Sequence, residues 1–152
     1  MKAKFRDGLR DVIQKLQSIP TRPIAVGVAD ELVNLIRGNI VREVDPYGKP
    51  FAEHSKNYIR RIGGASLPKP YKKLFWTGAL LNSFESAVLY TQKGKTVASA
   101  RSDDPKLPYH QEGRGNNPVR AVYPKQGNIP NNWTQQAERI ALTYINKTIR
   151  SY

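Results

Sequence analysis

Cysteine is absent from this chain of 152 residues, which rules out disulfides and thiolate metal sites and suits assembly in a reducing cytoplasm. There is also no run of about 18 consecutive apolar residues, so no membrane-spanning helix is expected. The N-terminus carries lysines with no apolar segment behind them, which argues against a secretory signal. Histidine is scarce too. Neither His54 nor His110 has a second ligand at helical or hairpin spacing; His110 has only Glu112 two residues on and Asp103 and Asp104 upstream. The adjacent carboxylates Asp103 and Asp104 precede Pro105 and read as an Asx turn better than as an acid/base pair. No Gly-x-Ser-x-Gly elbow or Walker loop is present, and Gly113-Arg114-Gly115 lacks the third glycine and preceding strand of a dinucleotide fingerprint. These absences predict a protein that is not an enzyme and that holds no cofactor and no metal.

Acidic residues are few as well, 12 against 25 lysines and arginines, a formal net charge of +13. The excess is uneven. Residues 54–73 carry Lys56, Arg60, Arg61, Lys69, Lys72 and Lys73 with no acid, whereas residues 24–53 set Arg37, Arg42 and Lys49 against Asp30, Glu31, Glu43, Asp45 and Glu53. Such asymmetry suits an acidic partner, either nucleic acid or an acidic protein surface, although lysines on a solvated face produce the same count. Tyr47, Phe51, Tyr58, Tyr71, Phe75 and Trp76 interleave with these bases. Aromatics among bases can stack single-stranded nucleic acid. They also describe a protein interface, or a core flanked by solvated lysines.

Glycine and proline number 11 each, and the apolar fraction is 39%, so one interrupted domain with a modest core is expected. Phe5, Leu9, Val12, Ile13 and Leu16 form a helical stripe, giving an N-terminal helical extension over residues 1–18. A Pro-containing linker follows, with Pro23 at a first helical position. The next helix has Ile24, Val28, Leu32, Ile36 and Ile40 four apart, flanked by Ala25, Ala29, Val33 and Leu35. Asp45-Pro46-Tyr47-Gly48-Lys49-Pro50 is a turn. Ser55 caps a short helix to Ile62, and Thr77 caps a turn that sends Leu80, Leu81 and Phe84 inward. Residues 86–91 and 96–100 are the arms of a hairpin turning at Lys93-Gly94, and Val119 to Tyr123 is a third strand. Asn132 caps the last helix, with Gln135 at capping-box spacing, and its buried stripe runs from Trp133 through Ala137, Ile140, Ala141, Tyr144 and Ile145 to Ile149. Residues 24–152 thus predict a single α+β domain, a small antiparallel sheet packed by N-terminal and C-terminal helices.

Four segments in order resemble the virion-morphogenesis or tail-completion family of tailed bacteriophages. They are a helix through Ile40 leading to Asp45-Pro46-Tyr47-Gly48-Lys49-Pro50-Phe51 with Ser55 and Tyr58; Leu74-Phe75-Trp76-Thr77-Gly78-Ala79-Leu80-Leu81-Asn82-Ser83; Pro108-Tyr109-His110-Gln111-Glu112-Gly113; and Asn117-Pro118-Val119-Arg120. The likeness spans about residues 24–149 and rests on the order and spacing of motifs that are weak singly. It lacks a counterpart for residues 1–18, the strongly basic run after Tyr58 and the extra prolines of residues 101–117.

The resemblance implies a structural virion protein of the neck or head–tail joint (a tail terminator, completion protein or connector adaptor), assembled in the host cytoplasm as a homo-oligomeric ring around the DNA channel. Six copies suit a tail-side ring, and twelve a portal-side adaptor. The implied partners are other neck, portal or adaptor and tail-tube proteins, with contact to packaged DNA and no membrane. Expected interface or structural residues are Asp45 and Gly48 for the turn, Thr77 as a cap, Gly78 for close packing where Leu80 enters the core, Tyr109 and His110 to fasten the loop to the sheet, Gly113 for its bend, and Arg120 to bridge to a carboxylate within the domain or on a neighbour. Lys72 and Lys73 are candidates to meet Asp30, Glu31 and Glu43 of the next copy, a pairing motivated by charge alone. The alternative class is a basic nucleic-acid-binding protein without catalytic activity.

Overall fold

Ile36 and Ile40 are each 1% exposed, and the helix that carries them is the axis of the fold. In a computed structural model, which describes residues 14, 17, 19–61, 74, 78–92 and 94–151, helix α1 runs Thr21–Arg42. It is followed by α2 (Lys56–Arg61), α3 (Ala79–Asn82), strands β1 (Phe84–Gln92) and β2 (Lys95–Ser102), α4 (Leu107–Gln111), a 3-10 turn (Arg114–Asn116) and α5 (Asn131–Arg150). The expected helix over residues 1–18 lies outside the described residues, apart from Gln14 and Gln17. The fold is α+β: among the described residues, five helices and one two-stranded antiparallel sheet, with helices before and after the sheet in the chain.

Helix α1 begins two residues before Pro23, which stands inside the first turn, where a missing N–H costs no internal bond. Its buried residues are Ala29, Val33, Ile36, Asn39 and Ile40: Ile36 and Ile40 come from the expected row four apart, Ala29 and Val33 from its expected flank, and Asn39 from outside both. With 3.6 residues per turn, steps of four drift around the helix; the mixed steps 29, 33, 36 and 40 stay on one line. Ile24 and Val28 are consequently only half-buried. The helix ends at Glu43 in the left-handed conformation, φ 59°, where the N–H of Glu43 bonds Ile40 O and that of Val44 bonds Asn39 O.

Helix α1 packs against both strands and against α5. Tyr144 lies on it where Gly27 has no side chain: a Cβ there would stand 2.5 Å from the tyrosine ring. Hydrogen bonds fix the hairpin to the same helix. Ser86 Oγ donates to Asp30 Oδ1 (2.5 Å), the hydroxyls of Thr21 and Thr96 bond at 3.0 Å, and Arg37 donates to the carbonyls of Leu81 and Phe84. Phe84, Leu80, Phe51, Leu107, Val122 and Trp133 close the core around Val33, Ile36 and Ile40.

The hairpin is longer than predicted at both ends and carries a bulge between Val88 and Tyr90. Residues 119–123, predicted as a third strand, form no strand. Gln111 explains this: its Oε1 accepts from the N–H groups of Val122 (2.8 Å) and Tyr123 (3.0 Å), while its Nε2 donates to Tyr123 O (3.1 Å). One side chain thus does locally what a neighbouring strand does by backbone pairing, and Val122 is sealed into the core. Helix α5 also departs from expectation. Pro130 stands at its cap and its carbonyl accepts from Trp133 N and Thr134 N, so Asn132 lies in the first turn without a capping role. Only Trp133 of the stripe is buried; Tyr144 and Ile149 are more than a third exposed. A helix resting on one partner buries only one side of its apolar face.

Candidate interface surfaces and the Arg120 clasp

The turn at residues 45–50 forms as expected. Asp45 Oδ1 accepts from Tyr47 N (2.9 Å) and Lys49 N (2.8 Å), Gly48 N bonds Asp45 O, and Gly48 has φ 82°. The chain then reverses, with Val44 bridged to Pro50, and delivers Phe51 to the core. Tyr47 has a part beyond its place in the turn and in the aromatic set. Its hydroxyl donates to Asn128 O and accepts from Lys125 N, tying the turn to the loop before α5.

Thr77 of the second motif lies outside the described residues, as do Lys72 and Lys73 just before it. Leu80 is buried, as its position implied. Gly78 precedes α3 at φ 70°, and the nearest atom a Cβ would meet there is 3.5 Å away, so its backbone conformation, not close packing, requires glycine. Two of the three acids proposed as partners for the lysines have neighbours within the chain. Asp30 turns to Ser86, and Glu43 lies close enough to Arg120 to stabilise its charge.

The third and fourth motifs converge. Arg120 is 3% exposed. Its Nε donates to Ala52 O (2.8 Å) and its Nη2 to Glu53 O (3.0 Å), with His54 Nδ1 at 3.4 Å. These hydrogen bonds hold a strap, residues 51–58, by its main chain; the carbonyl partners replace the carboxylate bridge expected from sequence. Burial depresses the arginine's proton affinity, while Tyr58, Glu53 and Glu43 act in the opposite sense. An arginine remains charged throughout. His54 stacks on Tyr58 with ring centroids 5.0 Å apart, and Tyr58 N bonds the Ser55 hydroxyl that starts α2. From the other side, Arg120 N donates to His110 O at 2.7 Å. His110 Nδ1 is buried with no hydrogen-bond partner among the described residues. Burial, then the Arg120 charge, pushes the His110 imidazole below the ordinary histidine range.

His110 therefore fastens its loop to the 120 segment and the strap, not to the sheet. Tyr109 is 48% exposed and fastens neither. Gly113 does supply the bend: φ is 72°, and a Cβ would approach Asn117 O at 3.0 Å and Val119 Cγ2 at 2.9 Å. Gly113→Ala should lower stability by about 1–2 kcal/mol, the cost of a left-handed alanine with a backbone obstruction, measurable by urea denaturation. The Asx turn at Asp104 is present, with Oδ1 accepting from Lys106 N at 2.8 Å. Among the described residues no group of three or more His, Cys, Asp or Glu could hold a metal ion, and no helix is long and apolar enough to cross a membrane.

The hairpin face turned from α1 carries the cross-strand pairs Glu85–Arg101 (2.8 Å), Ala87–Ser99 and Tyr90–Val97. Leu89, at the bulge, is 58% exposed and Tyr90 47%. Neither outer edge of the hairpin pairs with another strand among the described residues. Comparison with protein-family models, with curated proteins and with solved structures found no match to this chain.

Proposed function

We propose that this protein is a structural component of a tailed-phage neck or head–tail joint, acting as a tail-completion, terminator or adaptor subunit that assembles into a ring around the DNA channel. The observation that carries the reading is the hairpin. It presents two edges that pair with no other strand among the described residues, together with the exposed apolar residues Val88, Leu89 and Tyr90, and strand edges with apolar side chains are templates for pairing with another chain. The ordered motifs support the same reading through their mechanics: the Asp45–Gly48 turn, the entry of Leu80 and the Arg120 clasp all serve to hold a scaffold, and none assembles a reacting group. A closed ring needs two different complementary surfaces per subunit. Helix α1 packs against both the hairpin and α5, and the exposed hairpin residues and the part-covered apolar face of α5 supply two candidates.

The test is the mass of the protein in solution, alone and mixed with tails or portal complexes from the same virion. A discrete ring of six or twelve copies, or incorporation at one end of the tail, is expected. A persistent monomer that ignores virion parts and binds DNA with steeply salt-dependent affinity would move the assignment to the alternative, a basic nucleic-acid-binding protein, for which the net charge of +13 is the support.

A further inference from the structure

The strap at residues 51–58 leads directly into α2, which carries Lys56 and Arg60, and the described side chain reaching over to hold the strap's carbonyls is that of Arg120. One imidazole faces that guanidinium, and a second lies near enough to feel its charge. His54 Nδ1 faces Arg120 Nη2 at 3.4 Å; since a guanidinium only donates, that nitrogen must be the unprotonated one. His110 shares its backbone with the clasp through the 2.7 Å bond from Arg120 N, and its own Nδ1 is buried without a partner among the described residues.

We propose that Arg120, His110 and His54 form an acid-sensitive latch on this strap: proton uptake by His110 opens the 110–120 contact and frees the strap together with the basic helix α2. The charged neighbours set the sign. Arg120 and Lys106, and His54 once it is itself protonated, oppose a positive charge on His110, and Asp104 favours it. Tyr58, Glu53 and Glu43 bear on Arg120, and so stabilise the cation that resists the second one. The closed latch thus holds His110 neutral, while an opened one lets the ring take a proton with ordinary affinity. Closing is fully favoured above the ordinary histidine range, near pH 6.5, and is progressively lost as pH falls below it. The device does not depend on the ring assignment; it concerns when a basic segment is presented, whatever that segment meets.

Hydrogen exchange tests it in the intact protein. The amides of Arg120 (bonded to His110 O) and Ile59 (bonded to Ser55 O) report the latch and α2, and an α1 amide such as that of Ile40 reports the core. After correction for intrinsic exchange, the opening constant at Arg120 and Ile59 should rise between pH 7.5 and 5.5, by up to about tenfold per pH unit for one proton. The Ile40 constant should change far less. In His110→Gln the rise should vanish. A wild-type latch whose opening ignores pH, or the same rise retained in His110→Gln, overturns the proposal. Should that variant fail to fold, titration of the His110 ring by NMR decides the question in the unaltered chain: depressed proton affinity sustains the latch, and ordinary affinity ends it.

Discussion

Phe84→Ala should destabilise the fold by about 3–5 kcal/mol and lower its melting temperature by about 10 °C, measured by urea denaturation and calorimetry. Phe84 is 1% exposed, and three independent features meet at its position. Its ring meets Tyr123 edge-on with centroids 5.8 Å apart, contributing about 1 kcal/mol beyond burial. Its carbonyl accepts from Arg37 at 2.7 Å, so the start of β1 is fixed to α1. It pairs with Ser102 at the base of the hairpin, where the sheet enters the core. An alanine leaves a cavity between α1, the 122–123 segment and the hairpin root. These are held by separate bonds and cannot all collapse into it. Phe84→Leu should cost markedly less, because most of the volume is kept. Equal losses for the two variants would show that the ring's shape, and not the cavity, sets the cost.

The position of Phe84 at the head of a strand was not readable from sequence. The sequence pattern puts it on the inward side of the preceding turn and starts the strand at Ser86, because alternation alone does not mark where pairing begins. The strongest local signals did carry through: a helix ending in a positive-φ turn, Asp45 and Gly48 in that turn, a two-residue hairpin loop and an amphipathic final helix. Each depends on neighbours within a few residues. What failed was set by tertiary contact. The third strand was read from the β-rich pattern Val119 to Tyr123, but Gln111 takes its hydrogen bonds, and no rule of spacing announces that a glutamine will stand in for a strand. The stripe of α5 is apolar as expected yet only half-covered beyond Trp133, because how many partners a helix has is a property of the whole fold. At the clasp, Arg120, His110 and Tyr109 were all singled out, but their partners were not. The strap carbonyls at 52 and 53 lie 68 and 67 residues away, and a carbonyl has no sequence signature.

The same clasp carries the other large effect. Arg120→Met keeps much of the side chain's length and apolar stem but removes every donor, leaving the carbonyls of Ala52 and Glu53 facing a buried thioether. A loss of about 2–4 kcal/mol is expected, from one to two unsatisfied carbonyls at roughly 1–3 kcal/mol each less the relief of burying no charge. Arg120→Lys retains the charge but has no fork with which to reach two carbonyls and an imidazole together, so it should recover only part of that loss. The decisive readout is local. Removing the guanidinium deletes the second-largest cause of the depressed His110 proton affinity and leaves the larger one, burial. In Arg120→Met the His110 titration should therefore move toward the ordinary range without reaching it, whereas in Arg120→Lys it should stay close to wild type. If both variants lose stability and the His110 titration stays in place in each, Arg120 holds the strap by its hydrogen bonds alone, and the field around the two imidazoles owes nothing to it.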